Sequence, residues 1–178
     1  MSRTWIQLRS GGWYDLATGE TSGIDPVVDI VTVLAHMPRF GAKTQHPWSV
    51  AQHAVLVADL VAGPYQEEAL HHDDHEALLG DVVTPMKAAL GQVYREMEDL
   101  ADRAVRLAWK LGPRDPGSID PVREADAEAL ELERQLLLAP SMRPWGSGHQ
   151  FKIWQRASLL SLLDLTPTQV VARYMEYV

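Results

Sequence analysis

The 178-residue chain is long enough for one domain with a sizeable core, and its 46% hydrophobic content is ordinary for a globular protein. A net charge of −8 argues against a long nucleic acid as partner, because phosphate backbones are bound by basic surfaces. No apolar run reaches the length of a membrane span, and no secretory signal pattern is visible. We therefore expect one cytoplasmic domain over residues 1–178, with no membrane partner.

The absence of cysteine limits the metal chemistry that the chain can support. With no Cys there is no disulfide framework and no thiolate site. A bound metal would need histidine nitrogens and carboxylates as ligands. Such ligands suit Zn or Co best, with Mn or Mg as alternatives.

The N-terminal segment predicts a small β-hairpin. Two short runs, residues 4–8 and 13–16, carry Trp, Ile, Tyr and Leu, and a Ser10-Gly11-Gly12 turn separates them. Two strands cannot form a core alone, so we expect residues 1–20 to pack on the rest of the chain as an appendage.

The remainder of the chain predicts helices joined by short connectors. Asp25-Pro26, Ser49 and Thr166-Pro167 are typical helix starts, and Gly63-Pro64 and Gly80 are typical stops. The expected fold is an all-α helical bundle that carries the hairpin. The predicted helices begin near 25 and 49, then cover 65–79, 92–111, 119–138, about 150–163 and 166–177, with a short helix or turn interrupted by Pro85.

Six consecutive ionisable residues, His71 to Glu76, stand between apolar neighbours. On a continuous helix, residues three or four apart share a face. His72, Asp73 and Glu76 could then meet one metal ion, and His71 with His75 could meet another. Spacing alone does not choose between these two frames, although the zinc-protease pattern is absent.

Further ligands must come from elsewhere, since two ligands make a weak site. His53 stands on a largely apolar helix, where a lone histidine is usually a satisfied core residue. Asp126 lies in a charged helix, where a solvated carboxylate is the default. His53 and Asp126 are therefore candidate metal ligands only in combination with other ligands.

That set resembles a known family. The order His53, His72-Asp73, Asp126 is similar to the ligand pattern of the HD-domain metal-dependent phosphohydrolases. The 5′-deoxynucleotidase-like branch, including phage dATP and dNTP triphosphohydrolases, is the most similar. Its blocks are matched by Ser49-Val50-Ala51-Gln52-His53, by His72-Asp73-x-x-Glu76 and by Gly80-Asp81-x-x-Thr84-Pro85-x-Lys87.

The resemblance implies an HD-domain fold and a divalent metal held by His53, His72, Asp73 and Asp126. It favours the His72-Asp73 frame over His71 and His75. It favours a deoxynucleoside triphosphate triphosphohydrolase, which would release the deoxynucleoside and triphosphate from dATP or several dNTPs by attack of a metal-activated water on the α-phosphorus. The implied catalytic residues are Glu76 and Asp81, and the implied substrate contacts are Arg39, Phe40, Lys43, Trp48 and Lys87.

Some residues depart from the family pattern. Lys43 stands where phage relatives carry a histidine in the block after Arg39-Phe40. His71, Asp74 and His75 have no family role and are candidate ligands of an additional ion.

Alternatives to a triphosphohydrolase remain open. A 5′-deoxynucleotidase that acts on dNMPs would share the metal site, and a non-catalytic nucleotide-binding protein would retain a degenerate one. A zinc protease is disfavoured by its missing motif. Relatives of this kind are commonly oligomers, so we expect a homo-oligomer with an interface from helix 92–111 and the C-terminal helices.

Overall fold

The structure is a computed structural model that describes residues 3–61, 63–146, 148 and 150–178. It confirms a mostly helical fold with a small N-terminal hairpin. Strands β1 (Trp5–Gln7) and β2 (Trp13–Asp15) pair antiparallel with Ile6 opposite Tyr14. The carboxylate of Asp29 accepts hydrogen bonds from the backbone and hydroxyl of Ser10, at 2.7 and 2.8 Å, and so ties the hairpin to the first helix.

The described residues contain nine α-helices. A π-helical turn, Pro26–Val31, leads directly into the first of them. The bounds are α1 (Thr32–His36), α2 (Val50–Leu60), α3 (Gln66–Leu70), α4 (Glu76–Leu79), α5 (Thr84–Leu90), α6 (Gln92–Trp109), α7 (Ile119–Leu137), α8 (Ile153–Leu163) and α9 (Pro167–Met175).

Several predicted helix starts are confirmed by their capping contacts. Ser49 and Gln52 form a reciprocal capping box at the start of α2, and Thr166 and Gln169 form another at α9. Asp25 accepts from the backbone at the first helical turn. Pro85 does not interrupt its helix as predicted; it lies in the first turn of α5, where its missing N–H costs nothing.

Helix α2 is the centre of the bundle. All but one of its eleven residues are buried, so it is apolar around its whole circumference rather than along one stripe. The polar exceptions, Gln52 and His53, have partners: the Gln52 amide donates to the carbonyl of Leu162 at 2.6 Å. Helices α1, α3, α7, α8 and α9 surround α2.

The predicted single helix over 65–79 is wrong. Helix α3 ends at Leu70, α4 begins at Glu76, and residues 71–75 between them form successive turns. Their backbone bonds span three residues rather than four, as from the Glu76 N–H to the Asp73 carbonyl at 2.9 Å. Regular helical spacing therefore does not apply to the histidine-rich stretch.

Helix α6 buries only some of its apolar side chains. Tyr94, Ala101 and Val105 are buried, whereas Val93 and Leu107 are exposed. The subunit interface predicted for this helix stays a prediction. Among the residues that the structure describes, no helix has the length and apolar character needed to cross a membrane.

Candidate metal centre and adjoining cavity

Four predicted ligands converge from three parts of the fold. His53 comes from α2, His72 and Asp73 from the turn after α3, and Asp126 from α7. Nε2 of His53 lies 3.1 Å from Oδ1 of Asp126 and 3.7 Å from Oδ2 of Asp73. Nε2 of His72 lies 3.2 Å from the same Asp73 oxygen and 3.8 Å from the same Asp126 oxygen.

The other ring nitrogen of each histidine fixes the tautomer. Nδ1 of His53 lies 2.7 Å from Oε1 of Glu133, and Nδ1 of His72 lies 2.7 Å from the carbonyl oxygen of Ala69. A carboxylate or carbonyl oxygen only accepts, so both Nδ1 atoms carry hydrogen. In the neutral rings both Nε2 atoms then present a lone pair, and both are buried without a hydrogen-bond partner.

This arrangement fits a divalent metal. Metal-bound histidines commonly donate their remote N–H to a carboxylate or backbone carbonyl, as both do in this centre. Three candidate ligand atoms, one from each of His53, His72 and Asp73, lie within 4.8 Å of one another. Two imidazole nitrogens and two carboxylate oxygens are a normal donor set for Zn or Co.

The electrostatics of the centre also call for a cation. Burial raises the pKa of Asp73, but the neighbouring His72 outweighs burial and holds that pKa well below its ordinary value. Burial lowers the pKa of His72, but Asp73 outweighs it and raises the pKa to about 9. Without a metal, the carboxylates therefore favour protonated imidazole, which supplies the missing positive charge.

Glu133 organises the centre and was not predicted from the sequence. Its Oε1 accepts from His53 and, at 2.8 Å, from the indole N–H of Trp48. Its Oε2 accepts from Nε of Arg39 at 3.0 Å. Glu133 is completely buried, and it follows Asp126 by seven residues on the same face of α7. The spacing of Asp126 and Glu133 was the sequence signal that could have placed Glu133 beside the predicted ligand.

Arg39 joins the centre through three carboxylates. Besides Glu133, its guanidinium nitrogens lie 3.5 Å from Asp73 and 3.9 Å from Asp126. The backbone after it is strained, because Phe40 and Ala42 adopt left-handed φ angles of 57° and 61°. The tight loop thus directs Arg39 inward and Phe40 to the wall of the adjoining cavity.

A cavity of about 730 Å³ adjoins the metal centre. It brings together most of the predicted site residues and adds Trp145, which sequence reasoning missed because it lies in a loop without a recognised motif. The walls are apolar apart from two cationic side chains, four carboxylates and the hydroxyl of Thr84. The lining residues are Arg39, Phe40, Asp73, Glu76, Asp81, Val82, Val83, Thr84, Pro85, Lys87, Ala88, Asp126, Leu130 and Trp145.

The predicted catalytic carboxylates both present unpaired oxygens. Oε2 of Glu76 and Oδ2 of Asp81 are buried without a hydrogen-bond partner. Burial, with Asp73 and Asp81 nearby, raises the pKa of Glu76 to about 8. Nζ of Lys87 lies 3.5 Å from Oε1 of Glu76 and 2.9 Å from Oε1 of Glu98.

Two predicted substrate contacts do not line this cavity. Trp48 is buried, and its indole N–H donates to Glu133, so it helps to position the carboxylate that orients His53. Lys43 is exposed, and its ammonium group donates to the backbone carbonyl of Phe40 at 3.3 Å.

His71 and Asp74 belong to a separate, fully paired cluster. The Asp74 carboxylate accepts from Nδ1 of His71 at 2.7 Å, from the indole of Trp109 at 2.8 Å and from the hydroxyl of Tyr174 at 2.6 Å. Burial and Asp74 raise the pKa of Tyr174 well above its ordinary value. This cluster fastens the turn to α6 and α9, and it takes up both oxygens of the Asp74 carboxylate and Nδ1 of His71.

His75 has other partners than His71, and among the described residues the two histidines do not share a group of candidate ligand atoms. Its Nε2 lies 3.5 Å from Oε1 of Glu98. With Asp73 and Glu76 it forms a second group whose ligand atoms lie within 4.8 Å of one another. The ammonium group of Lys87 already places a positive charge beside that group.

Comparison with known proteins adds two relatives. No family model matches the chain. It is 34% identical over 145 residues to the uncharacterized protein RCAP_rcc00048 of Rhodobacter capsulatus, a match that covers 76% of this chain and 74% of that protein. It is 38% identical over 107 residues to the uncharacterized protein YfdR of Escherichia coli, covering 60% of this chain and 58% of YfdR. The chain thus belongs to the same protein family as RCAP_rcc00048.

Proposed function

We propose that the protein is a metal-dependent phosphohydrolase that releases the deoxynucleoside and triphosphate from dATP or several dNTPs. One observation carries the proposal. Two buried, unpaired Nε2 atoms and two carboxylates converge beside a 730 Å³ cavity that also contains Arg39 and Lys87. A metal centre and phosphate-binding cations in one pocket are what phosphoryl transfer requires. The resemblance to the HD-domain phosphohydrolases points the same way.

His53, His72, Asp73 and Asp126 would hold the metal. When bound, a divalent ion there would supply Lewis acidity toward a phosphoryl oxygen and lower the pKa of a neighbouring water. Glu133 and the Ala69 carbonyl keep both imidazoles in the tautomer that such binding needs.

Glu76 is the proposed proton acceptor; a divalent ion held by Asp73 would lower the pKa that burial and the neighbouring carboxylates raise, and would leave Glu76 ionised. Its unpaired Oε2 is buried in the cavity, three residues beyond Asp73. It would take a proton from a water that attacks the α-phosphorus. The new P–O bond forms as the bond from phosphorus to the 5′ oxygen breaks, and that oxygen leaves with a proton as the nucleoside hydroxyl. Asp81, with an unpaired Oδ2 in the same cavity, is the proposed donor of that proton.

Arg39 and Lys87 would neutralise the phosphoryl oxygens that do not react. The guanidinium fork of Arg39 matches the geometry of phosphate and is held on one side by Glu133, which leaves its terminal nitrogens toward Asp73 and Asp126. The apolar part of the wall, including Phe40, Leu130 and Trp145, suits a base and a deoxyribose.

A 5′-deoxynucleotidase acting on dNMPs is the second candidate, and the charge of the cavity favours it. Four carboxylates and only two cations line the wall, so the cavity by itself offers little compensation for phosphates beyond the first.

Product analysis separates the candidates. The metal-loaded protein is incubated with dATP and with dAMP, and the phosphate products are resolved by ion-exchange chromatography. The proposal predicts inorganic triphosphate from dATP, whereas a nucleotidase would give orthophosphate from dAMP. No turnover of either nucleotide would refute both.

Two substitutions test the site itself by metal analysis. Asp73→Ala should lose metal and turnover together. Glu76→Ala should retain metal and lose turnover. The exposed Glu124 on α7 supplies the matched control, and Glu124→Ala should change neither quantity.

A further inference from the structure

A second, smaller cleft also borders the metal centre. It measures about 250 Å³ and is lined by His72, Arg114, Ile119, Val122, Arg123 and Asp126. His72 belongs to the centre, and Asp126 lines both the cleft and the larger cavity. A phosphate at the centre would therefore border both cavities.

The two cavities differ in charge. The larger one has four carboxylates and two cations, whereas the cleft has two arginines and one carboxylate. The larger one also has the volume and the apolar wall that a nucleoside needs. An anion that extends from the centre is better compensated in the cleft.

Both arginines retain donors for such an anion. Nη2 of Arg114 pairs with Asp102 at 2.8 Å, and Nη2 of Arg123 pairs with Asp120 at 2.7 Å. A guanidinium has five N–H donors, and each of these contacts uses one. The Arg123 pair is largely exposed, so solvent screens it and a polyphosphate can compete with Asp120.

We propose that this cleft, through Arg114 and Arg123, binds the phosphates beyond the one that is attacked. The inference rests on the proposed function and assigns the site to a nucleoside triphosphate rather than a monophosphate. The nucleoside would occupy the larger cavity, and the phosphate chain would cross the metal centre toward the two arginines.

A charge series, in which substitutions change the charges of the exposed Arg123–Asp120 pair, tests the proposal without disturbing the core. Arg123→Glu reverses the charge, and Asp120→Asn removes the competing carboxylate. Arg95→Ala, on the exposed side of α6 and outside both cavities, is the matched control. Each metal-loaded protein is dialysed to equilibrium against inorganic triphosphate or orthophosphate, with free divalent ion in excess, and kcat/KM is measured for dATP and dAMP.

Arg123→Glu should weaken triphosphate binding and lower kcat/KM for dATP by about ten-fold or more, the loss expected for one charge-assisted contact. Orthophosphate binding and dAMP turnover should stay within about two-fold, and Asp120→Asn should shift triphosphate binding in the opposite direction. Arg114→Ala, checked for folding by circular dichroism, should act like Arg123→Glu.

The outcomes separate this inference from the proposed function. If Arg123→Glu binds triphosphate as tightly as the unaltered protein, the cleft is not the subsite. If triphosphate binding follows the charge series but no nucleotide is hydrolysed, the proposed function fails and the anion site stands. Equal losses for triphosphate and orthophosphate would also overturn the assignment, because the cleft would then not distinguish the added phosphates.

Discussion

Two polar clusters come from the same turn of the chain and differ in whether their buried polar atoms have hydrogen-bond partners. In the cluster of His71, Asp74, Trp109 and Tyr174, each oxygen of the Asp74 carboxylate accepts a hydrogen bond from a neighbouring side chain. In the metal centre, His53 and His72 each leave a buried Nε2 without a partner. Since burying an unpaired polar group is costly, the paired cluster is explained by stability alone, whereas the centre is explained by a ligand.

The turn itself produces this difference. His71 and Asp74 point toward α6 and α9, while His72 and Asp73 point toward α2 and α7. A regular helix over 65–79 would have spread these side chains at 100° intervals and would have paired His71 with His75. The tight turn instead directs His71 and Asp74 into the core and His72 and Asp73 into the candidate metal centre.

The largest expected effect is the loss of function at the centre. Asp73→Asn should abolish metal binding and lower turnover by more than about a hundred-fold, beyond what loss of an outer partner of a metal ligand causes. The free energy of unfolding of the metal-free protein should fall, because His72, His53 and Arg39 hold the pKa of Asp73 below its ordinary value and would lose that carboxylate as a partner. Metal analysis and urea unfolding measure the two quantities. A metal-replete Asp73→Asn protein would erase the distinction between the clusters.

Metal binding should survive a substitution one residue later. Asp74→Ala removes the carboxylate that accepts from His71, Trp109 and Tyr174, of which Tyr174 keeps another acceptor, the Leu70 carbonyl. The substitution should cost about 3–5 kcal/mol of unfolding free energy. The folded fraction should still bind metal. Urea unfolding with and without metal is the measurement, and Asp102→Ala, which breaks a partly exposed pair, is the control. A loss below about 1 kcal/mol would show that the cluster is not structural.

Glu133→Gln sharpens the comparison because Glu133 serves the centre without being a proposed ligand. The glutamine amide has the shape of the carboxylate, but its oxygen is a weaker acceptor for His53. Its N–H groups would face a donor, either the guanidinium of Arg39 or the indole of Trp48. Metal affinity should fall about 10–100-fold. Competition with a chromophoric chelator measures it, and Glu124→Gln on the same helix should leave the affinity unchanged. An unaltered affinity in Glu133→Gln would remove Glu133 from the account.

The smallest effect is expected at the edge of the paired cluster. Tyr174→Phe deletes one hydroxyl that donates to Asp74 and should cost about 1.5–3 kcal/mol. Thermal and urea unfolding measure this loss. Metal affinity should not change, because Tyr174 contacts no proposed ligand. A parallel fall in metal affinity would mean that the two clusters act as one.

Local chemistry explains which parts of this structure could be predicted. Helix starts at Asp25, Ser49 and Thr166 depend on contacts within three residues, so the sequence reveals them directly. The residues of the candidate metal centre could be named from the sequence because they match the motif of the family that the chain resembles. The break at 71–75 depends on Trp109 and Tyr174, which are 35 and 100 residues from Asp74, and no local pattern records such contacts.

The same reason hid Glu133 and misplaced Trp48. Glu133 is 80 residues from His53, and its importance appears only when α2 and α7 pack together. Trp48, expected at the substrate, turns out to donate to that carboxylate. Trp145 reaches the cavity from a loop, where hydrophobic periodicity gives no orientation.

A cobalt titration of two adjacent histidine variants tests the central claim most directly. The unaltered protein should bind one Co²⁺ per chain, followed by its visible absorption. His72→Gln should abolish that absorption, while His71→Gln should retain one bound Co²⁺ despite lower stability. Loss of cobalt binding in His71→Gln together with full binding in His72→Gln would contradict the account.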